Sequence, residues 1–112
     1  MSDPDDLLPL THLSFQILLA LADGDRHGYG IIKEVTRRTD GAIRPATGTL
    51  YAALQRMLDD GLIEEAAVQQ TGPDDDARRR YYTLTPFGRQ VAAGEAARLS
   101  RVLGVAQEKR LI

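Results

Sequence analysis

The spacing of apolar and polar residues predicts a chain made mainly of helices. From Leu10 to Leu21, apolar side chains occur on nearly every side of a helix, which is typical of a helix buried all round. Asp23-Gly24-Asp25 ends this first helix in a turn. A second helix follows Gly28, with one apolar face and one basic face. Its inward residues are Ile31, Ile32 and Val35, and its outward residues are Lys33, Arg37 and Arg38.

A third amphipathic helix is predicted after the break at Asp40-Gly41 and Pro45, because proline disfavours helix in the residue before it. Thr47 is the predicted N-cap, and the helix is expected to end near Gly61. Apolar residues recur at three- and four-residue spacing at Leu50, Ala53, Leu54, Met57 and Leu58. The opposite face, expected to be exposed, holds Gly48, Thr49, Ala52, Gln55, Arg56 and Asp59.

Two short strand patterns then predict a β-hairpin. They run from about Leu62 to Gln69 and from Arg79 to Leu84, and the residues between them are rich in turn formers. Thr85 followed by Pro86 predicts an N-cap and first helical residue for a fourth helix. That helix carries an apolar stripe of Val91, Leu99, Val102, Leu103 and Ala106.

Length and composition predict one domain of ordinary globular type. The chain has 112 residues, of which 43% are hydrophobic and 27% charged. We interpret residues 1–9, which are acidic and contain two prolines, as a mobile arm. The longest apolar run, Ile17 to Ala22, is far shorter than the roughly 20 residues that span a bilayer. We therefore expect a cytoplasmic protein that does not enter a membrane.

The charge distribution favours nucleic acid more than the net charge of −2 indicates. Phosphate binding depends on where the cations lie, and the segment from Lys33 to Arg56 is locally basic. Its cations are Lys33, Arg37, Arg38, Arg44 and Arg56, against only Glu34 and Asp40.

Several linked motifs carry a family resemblance. His27-Gly28-Tyr29-Gly30-Ile31 and Gly48-Thr49-Leu50-Tyr51 each open a predicted helix, Arg78-Arg79-Arg80 opens the second strand, and Leu84-Thr85-Pro86-Phe87-Gly88 precedes the final helix. From about Leu10 onward this order resembles the PadR-like family of bacterial transcriptional regulators. The resemblance implies a mainly α fold with a small β-hairpin wing, that is, a winged helix-turn-helix over residues 10–85 followed by a C-terminal dimerisation helix over 86–112.

The resemblance implies a repressor that binds a palindromic operator in double-stranded DNA as a homodimer. In the third helix, the N-terminal backbone N–H groups suit a phosphate, and side chains such as Thr49, Gln55 and Arg56 can reach base edges. Tyr29 and Tyr51 fit either a packing role or a phosphate contact. The predicted DNA-binding residues are Tyr29, Lys33, Thr47, Gly48, Thr49, Tyr51, Gln55, Arg56, Arg78, Arg79 and Arg80.

The fourth helix is expected to form the dimer. Its apolar stripe has no later element to cover it, so we expect it to pack on a second copy around a two-fold axis, with part of the first helix. The predicted dimer residues are Leu10, Leu13, Ile17, Val91, Leu99, Val102, Leu103 and Ala106. Family members can also take an aromatic or drug-like inducer. This chain has no tryptophan, which excludes the indole-stacked drug pore of some relatives and leaves the inducer open.

Two other function classes compete with this interpretation. A winged-helix module that binds only proteins would need no positive face. An enzyme would need a nucleophile, a base and an orienting group, and His12 and His27 lack such companions. The absence of cysteine excludes cysteine-ligated zinc, and the consecutive carboxylates Asp74-Asp75-Asp76 point in different directions. We therefore predict no enzyme activity, no metal and no cofactor.

Overall fold

The computed structural model describes residues 3–66 and 80–112. This part of the chain folds into four α-helices and a small antiparallel sheet, which confirms the predicted fold class. The elements in chain order are a 3₁₀ helix Pro4–Leu7, α1 His12–Leu21, β1 Arg26–His27, α2 Gly28–Arg38, α3 Thr47–Asp59, β2 Ile63–Glu65, β3 Tyr81–Leu84 and α4 Pro86–Glu108.

The sheet has the order β1-β3-β2, so β3 lies in its centre. The pairing of β2 with β3 aligns Ile63 with Leu84 and confirms the predicted hairpin for its described residues. The sequence did not predict β1, which aligns Arg26 with Tyr82 on the other edge of β3. A strand of two residues is too short to show an alternating pattern.

The core lies between the first three helices, the sheet and the first half of α4. The predicted inner faces of α2 and α3 are largely confirmed, because Ile31, Val35, Leu50 and Leu54 are buried, whereas Ile32 and Leu58 are only partly buried. Burying each such side chain contributes about 1.5–3 kcal/mol. The core residues are Ile17, Leu18, Ala20, Leu21, Ile31, Val35, Leu50, Ala53, Leu54, Met57, Leu62, Ile63, Tyr82 and Val91.

Two predicted dimer residues belong to this core. Ile17 and Val91 are both 0% exposed within a single chain, so their assignment to a dimer interface was wrong. The apolar patterns of α1 and α4 predict that a surface is covered. They do not show whether another element of the same chain or a partner covers it. Leu10 and Leu13 are partly buried against the core.

The N-cap predicted for α4 is confirmed, the one predicted for α3 is wrong, and the N-cap of α2 was not predicted. Thr85 is the N-cap of α4 and accepts a hydrogen bond from the Gly88 N–H at 2.9 Å, as predicted. Thr47 is not a cap, because the N-cap position of α3 is occupied by Ala46. The cap of α2 is His27, whose Nδ1 accepts from the Gly30 N–H at 3.0 Å. Histidine is outside the usual set of capping residues, so this cap could not be predicted from the sequence.

The N-terminal segment differs from the expected mobile arm. Its 3₁₀ helix lies against α4, and Leu8 and Leu10 pack on the core. Glu95 of α4, only 2% exposed, accepts a hydrogen bond from the Leu10 N–H at 3.0 Å and also pairs with Arg98. A carboxylate on the inner side of α4 therefore fixes the segment that composition alone had indicated to be loose.

Gly88 allows a close approach that a larger residue would prevent. A Cβ at this position would overlap the carbonyl oxygen of Leu62. We expect Gly88→Ala to lower the free energy of unfolding by about 1–3 kcal/mol or more, because backbone atoms must move to relieve the overlap. Urea denaturation would measure the change. The control is Gly48→Ala, also helical, where nothing lies within 4 Å of the added Cβ; equal losses in both variants would contradict the packing explanation.

Glu95 should make the stability depend on pH. The hydrogen bond from Arg98 holds the pKa of the Glu95 carboxyl below its ordinary range, although burial acts in the opposite direction. A group with a lowered pKa stabilises the fold above its unfolded pKa of about 4.3, and the contribution is lost as the pH falls through the lower folded value.

We therefore expect Glu95→Gln to cost about 1–3 kcal/mol at neutral pH, because the amide cannot replace the charged hydrogen bonds. The difference from the unaltered chain should shrink as the pH falls below about 5. Urea denaturation across this pH range would test it, with exposed Glu108→Gln as the control. A difference that stays constant with pH would show that the Glu95 charge contributes nothing.

Candidate nucleic-acid interface

The turn between α2 and α3 sets the angle between these two helices. The Thr39 hydroxyl donates to the Val35 carbonyl at 2.8 Å and accepts from the Ile43 N–H at 3.1 Å, which ties both sides of the turn together. Gly41, at φ 81°, has the left-handed conformation that glycine adopts without strain. The helix-turn-helix thus depends on local bonds that the Asp40-Gly41 signal only partly predicted.

One side of α3 forms a continuous exposed surface of small and polar residues. The predicted exposed positions are all exposed, which confirms the assignment of the two faces. Gly48 has open space around it, so another molecule can approach the helix backbone closely there. This exposed face consists of Thr47, Gly48, Thr49, Ala52, Gln55, Arg56 and Asp59.

The N-terminus of α3 is left without a side-chain cap. Ala46 has no side-chain acceptor, and no side chain of residues 3–66 and 80–112 caps the first backbone N–H groups of the helix. Unpaired N–H groups together with the positive end of the helix dipole attract an anion. Because alanine at the N-cap position cannot accept a hydrogen bond, donors remain available beside Gly48.

Gln55 and Arg56 differ in whether the side chain already has a partner within the described ranges. The Gln55 Nε2 donates to Asp59 Oδ1 at 3.1 Å, one turn further along α3. Arg56 is exposed and has no ion-pair partner within the described ranges. Its guanidinium is therefore available to a partner molecule, whereas the Gln55 amide is already oriented by a neighbour.

Tyr51 packs against the start of α2. A Cβ on Gly28 would lie 2.5 Å from the Tyr51 hydroxyl oxygen and 2.8 Å from its ring, so glycine makes this contact possible. The side chain is nevertheless 46% exposed. Of the two roles that the sequence left open, the structure shows the packing role, and Gly28 is a residue whose contribution the sequence analysis did not predict.

The four tyrosines of the chain lie near the start of α2, where it meets α3 and β3. The His27 ring stacks on Tyr29 at 6.4 Å between centroids and meets Tyr81 edge-on at 5.3 Å. Tyr82 is buried beside Tyr51, and burial, followed by the charge of Tyr51, raises its pKa. The cluster joins the start of α2 to β3, so the helix-turn-helix and the sheet are held together by aromatic contacts.

Two open grooves flank a ridge on α2. Tyr29, Lys33 and Arg37 are spaced four residues apart and line both grooves. The larger, of about 560 Å³, is also lined by Arg26, His27, Gly30 and Glu34. The smaller, of about 310 Å³, is also lined by Ile32, Thr36 and Arg44. The ammonium nitrogen of Lys33 lies 5.6 Å from the centre of the Tyr29 ring, so this exposed tyrosine and the lysine form one cationic and aromatic surface.

The predicted basic strand is described only in part. Arg80 is exposed, and its Nη1 lies 3.4 Å from Glu65 Oε1 on the neighbouring strand. Arg78, Arg79 and the Asp74-Asp75-Asp76 triplet lie outside the described residues. Across 3–66 and 80–112, no group of three or more acidic or histidine side chains could hold a metal ion. No helix in the same ranges combines the length and apolarity needed to cross a membrane.

Comparison with known proteins identifies the family. The model of the transcriptional regulator PadR-like family matches residues 17–94, which is more than half of the chain. The chain belongs to the PadR-like family. Members of this PadR-like family are transcriptional regulators rather than enzymes, so the predicted absence of enzyme activity is confirmed by family membership.

The similar proteins include one regulator and two solved structures. A transcriptional regulator of Mycobacterium tuberculosis is 37% identical over 73 residues, which cover 65% of this chain and 62% of that protein. A PadR family regulator from Clostridium difficile is 26% identical with a TM-score of 0.73, covering 88% of this chain and 97% of that one. A Bacillus subtilis PadR, solved in complex with operator DNA, is 26% identical with a TM-score of 0.62, covering 77% of this chain and 47% of that one.

Proposed function

We propose that this chain is a sequence-specific repressor that binds an inverted-repeat operator as a homodimer. The observation that carries the proposal is the exposed face of α3, which combines an uncapped N-terminus, small residues and Arg56, a cation without an ion-pair partner among the described residues. The similarity to the PadR that was solved on operator DNA supports it. Because operator DNA lies in the cytoplasm of a bacterium, we also propose that location.

The proposal gives the predicted residues different roles at the duplex. Backbone N–H groups at Thr47 and Gly48 hold a phosphate, while Thr49, Gln55 and Arg56 contact base edges in the major groove. Arginine pairs best with guanine and glutamine with adenine. Tyr29 and Lys33 of α2, the helix that contacts α3, and the exposed edge of Tyr51 in α3 itself contact the sugar-phosphate backbone. Arg78, Arg79 and Arg80 place the wing, the hairpin of β2 and β3, along the minor groove.

The second half of α4 supplies the proposed dimer surface. The buried residues of α4 are Gly88, Val91 and Glu95, all in its first half. Beyond them, Leu99, Val102 and Leu103 are exposed, and Ala106 continues the same stripe. A two-fold dimer through this stripe would place the two recognition helices in successive major grooves roughly 34 Å apart. From the family resemblance, we further propose that a small aromatic or drug-like ligand releases the operator.

Base recognition should separate from general affinity for DNA. We expect Arg56→Ala or Gln55→Ala to weaken binding to a duplex selected from a random pool by about 1–3 kcal/mol, because each removes contacts with base edges. Binding to a scrambled duplex should change little. Fluorescence anisotropy at fixed salt would measure both affinities.

The control for this experiment is Lys109→Ala, an exposed cation after the end of α4. Equal losses on selected and scrambled duplexes would show that Arg56 and Gln55 do not recognise sequence. If the unaltered chain bound no duplex at all, the alternative of a winged-helix protein-interaction module would replace this proposal.

The dimer surface can be tested by introducing charge into the stripe. We expect Leu99→Asp with Leu103→Asp to give monomers in analytical ultracentrifugation and to abolish operator binding, because a single copy makes only half of the contacts. Both side chains are exposed in the single chain, so its fold should survive. Val105→Asp is the matched control, since Val105 is exposed on the same helix but lies about 120° and about 160° around it from Leu99 and Leu103. A dimer that persists in the double variant would place the interface elsewhere.

A further inference from the structure

Glu34 is the common partner of three arginines. Its carboxylate accepts two bonds from Arg37 Nη2, each at 3.0 Å, and one from Arg38 Nη1 at 3.4 Å. Arg26 Nη2, from β1, lies 3.8 Å away. The Glu34 side chain is only 14% exposed although it lies on the outer side of α2. One nearly covered negative charge therefore connects cations from two elements of the fold.

The three arginines differ in their other contacts. Arg38 donates to the side-chain oxygen of Gln16 at 2.7 Å and to its carbonyl at 3.1 Å, so it is fixed to α1. Arg26 Nε donates to the Ala20 carbonyl at 2.8 Å, and its Nη2 also lies 3.5 Å from Asp23 Oδ1, so Glu34 is one of two carboxylates that hold it. The Arg37 side chain has no further hydrogen bond with the described residues and is 73% exposed. Arg38 thus anchors Glu34 to the body of the domain, while Arg37 remains open to another molecule.

Arg26 and Arg37 border the larger groove beside the Tyr29 and Lys33 surface. The Arg37 contacts with Glu34 use a single guanidinium nitrogen, Nη2. The rest of that planar group can still donate to an oxyanion, and arginine binds phosphate through paired N–H donors. A side chain that is already held in place loses less conformational entropy when it binds.

We propose that Glu34 is a positioning residue for DNA binding, which holds Arg26 and Arg37 ready to contact phosphates of the duplex beside α2. The inference rests on the proposed function and extends it to the larger groove on α2. The occupant is the sugar-phosphate backbone that flanks the bases contacted by α3, because the groove adjoins Tyr29 and Lys33 on the same helix.

The two effects of Glu34 on affinity have opposite signs. As a negative charge close to the duplex, Glu34 would repel phosphates, so its neutralisation would strengthen binding to any DNA. As a positioning group, it organises two cations, so its neutralisation would weaken binding even though the net charge of the protein becomes more positive. The sign of the change therefore distinguishes the two roles.

We expect Glu34→Gln to weaken binding to the selected duplex about three- to tenfold at roughly 0.1 M salt, equivalent to about one hydrogen bond of ordinary net strength. The matched control is Glu108→Gln, which removes one negative charge from the far end of α4 and should not weaken binding. Circular dichroism and thermal unfolding of each variant would show that the compared proteins are folded.

Arg37→Gln provides a second test that does not alter a nearly covered group. It should weaken binding to selected and scrambled duplexes alike and reduce the slope of log affinity against log salt by about 0.9, as expected for one lost phosphate contact. If Glu34 acts partly through Arg37, adding Glu34→Gln to Arg37→Gln should weaken binding less than Glu34→Gln does alone. If Glu34 had a purely structural role, Glu34→Gln would leave the slope of log affinity against log salt unchanged.

Affinity of Glu34→Gln equal to or above that of the unaltered chain would overturn the proposal, and so would an unchanged salt slope in Arg37→Gln. Either result is compatible with operator binding through α3, so the proposed function would stand. Failure of the unaltered chain to bind any selected duplex would instead remove the proposed function itself.

Discussion

The close contact between the start of α4 and the start of β2 is the constraint on which the rest of the structure depends. The Leu62 carbonyl accepts from the Thr85 backbone N–H at 3.1 Å, and Gly88 lies directly against it. The Thr85 hydroxyl donates to the neighbouring Gly61 carbonyl at 2.6 Å and lies 3.0 Å from the Leu62 oxygen. Leu62 follows α3, while Thr85 joins β3 to α4. A single carbonyl thus sets the recognition helix, the sheet and the long final helix in one relative orientation.

The sequence predicted those features that depend on local order along the chain. The two faces of α3 follow from periodic apolar residues, and the cap of α4 follows from Thr85 and Pro86. It could not predict β1 or the role of Glu95, because these depend on contacts with distant residues. Ile17 and Val91 show the same limit, since periodicity identifies an apolar position without identifying the surface that covers it.

In the candidate interface, too, only those features that depend on a single helix could be predicted from the sequence. Exposure of Gln55 and Arg56 was predictable because the opposite face of the same helix had to be buried. The contact of Tyr51 with Gly28 and the attachment of Arg38 to Gln16 were not, since each joins two helices. The prediction that Arg37 and Arg38 face outward also did not show that both side chains are paired, since they share the carboxylate of Glu34.

The length of α4 gives its junction with β2 mechanical leverage. A helix of 23 residues is about 34 Å long, and its buried residues all lie in its first half. A tilt of about 5° at the Gly88 end would displace the far end by about 3 Å, a distance close to the rise of one base pair in B-form DNA. The tight backbone contact at Gly88 is therefore the point where small changes in packing would alter the spacing of anything attached to the distant half of the helix.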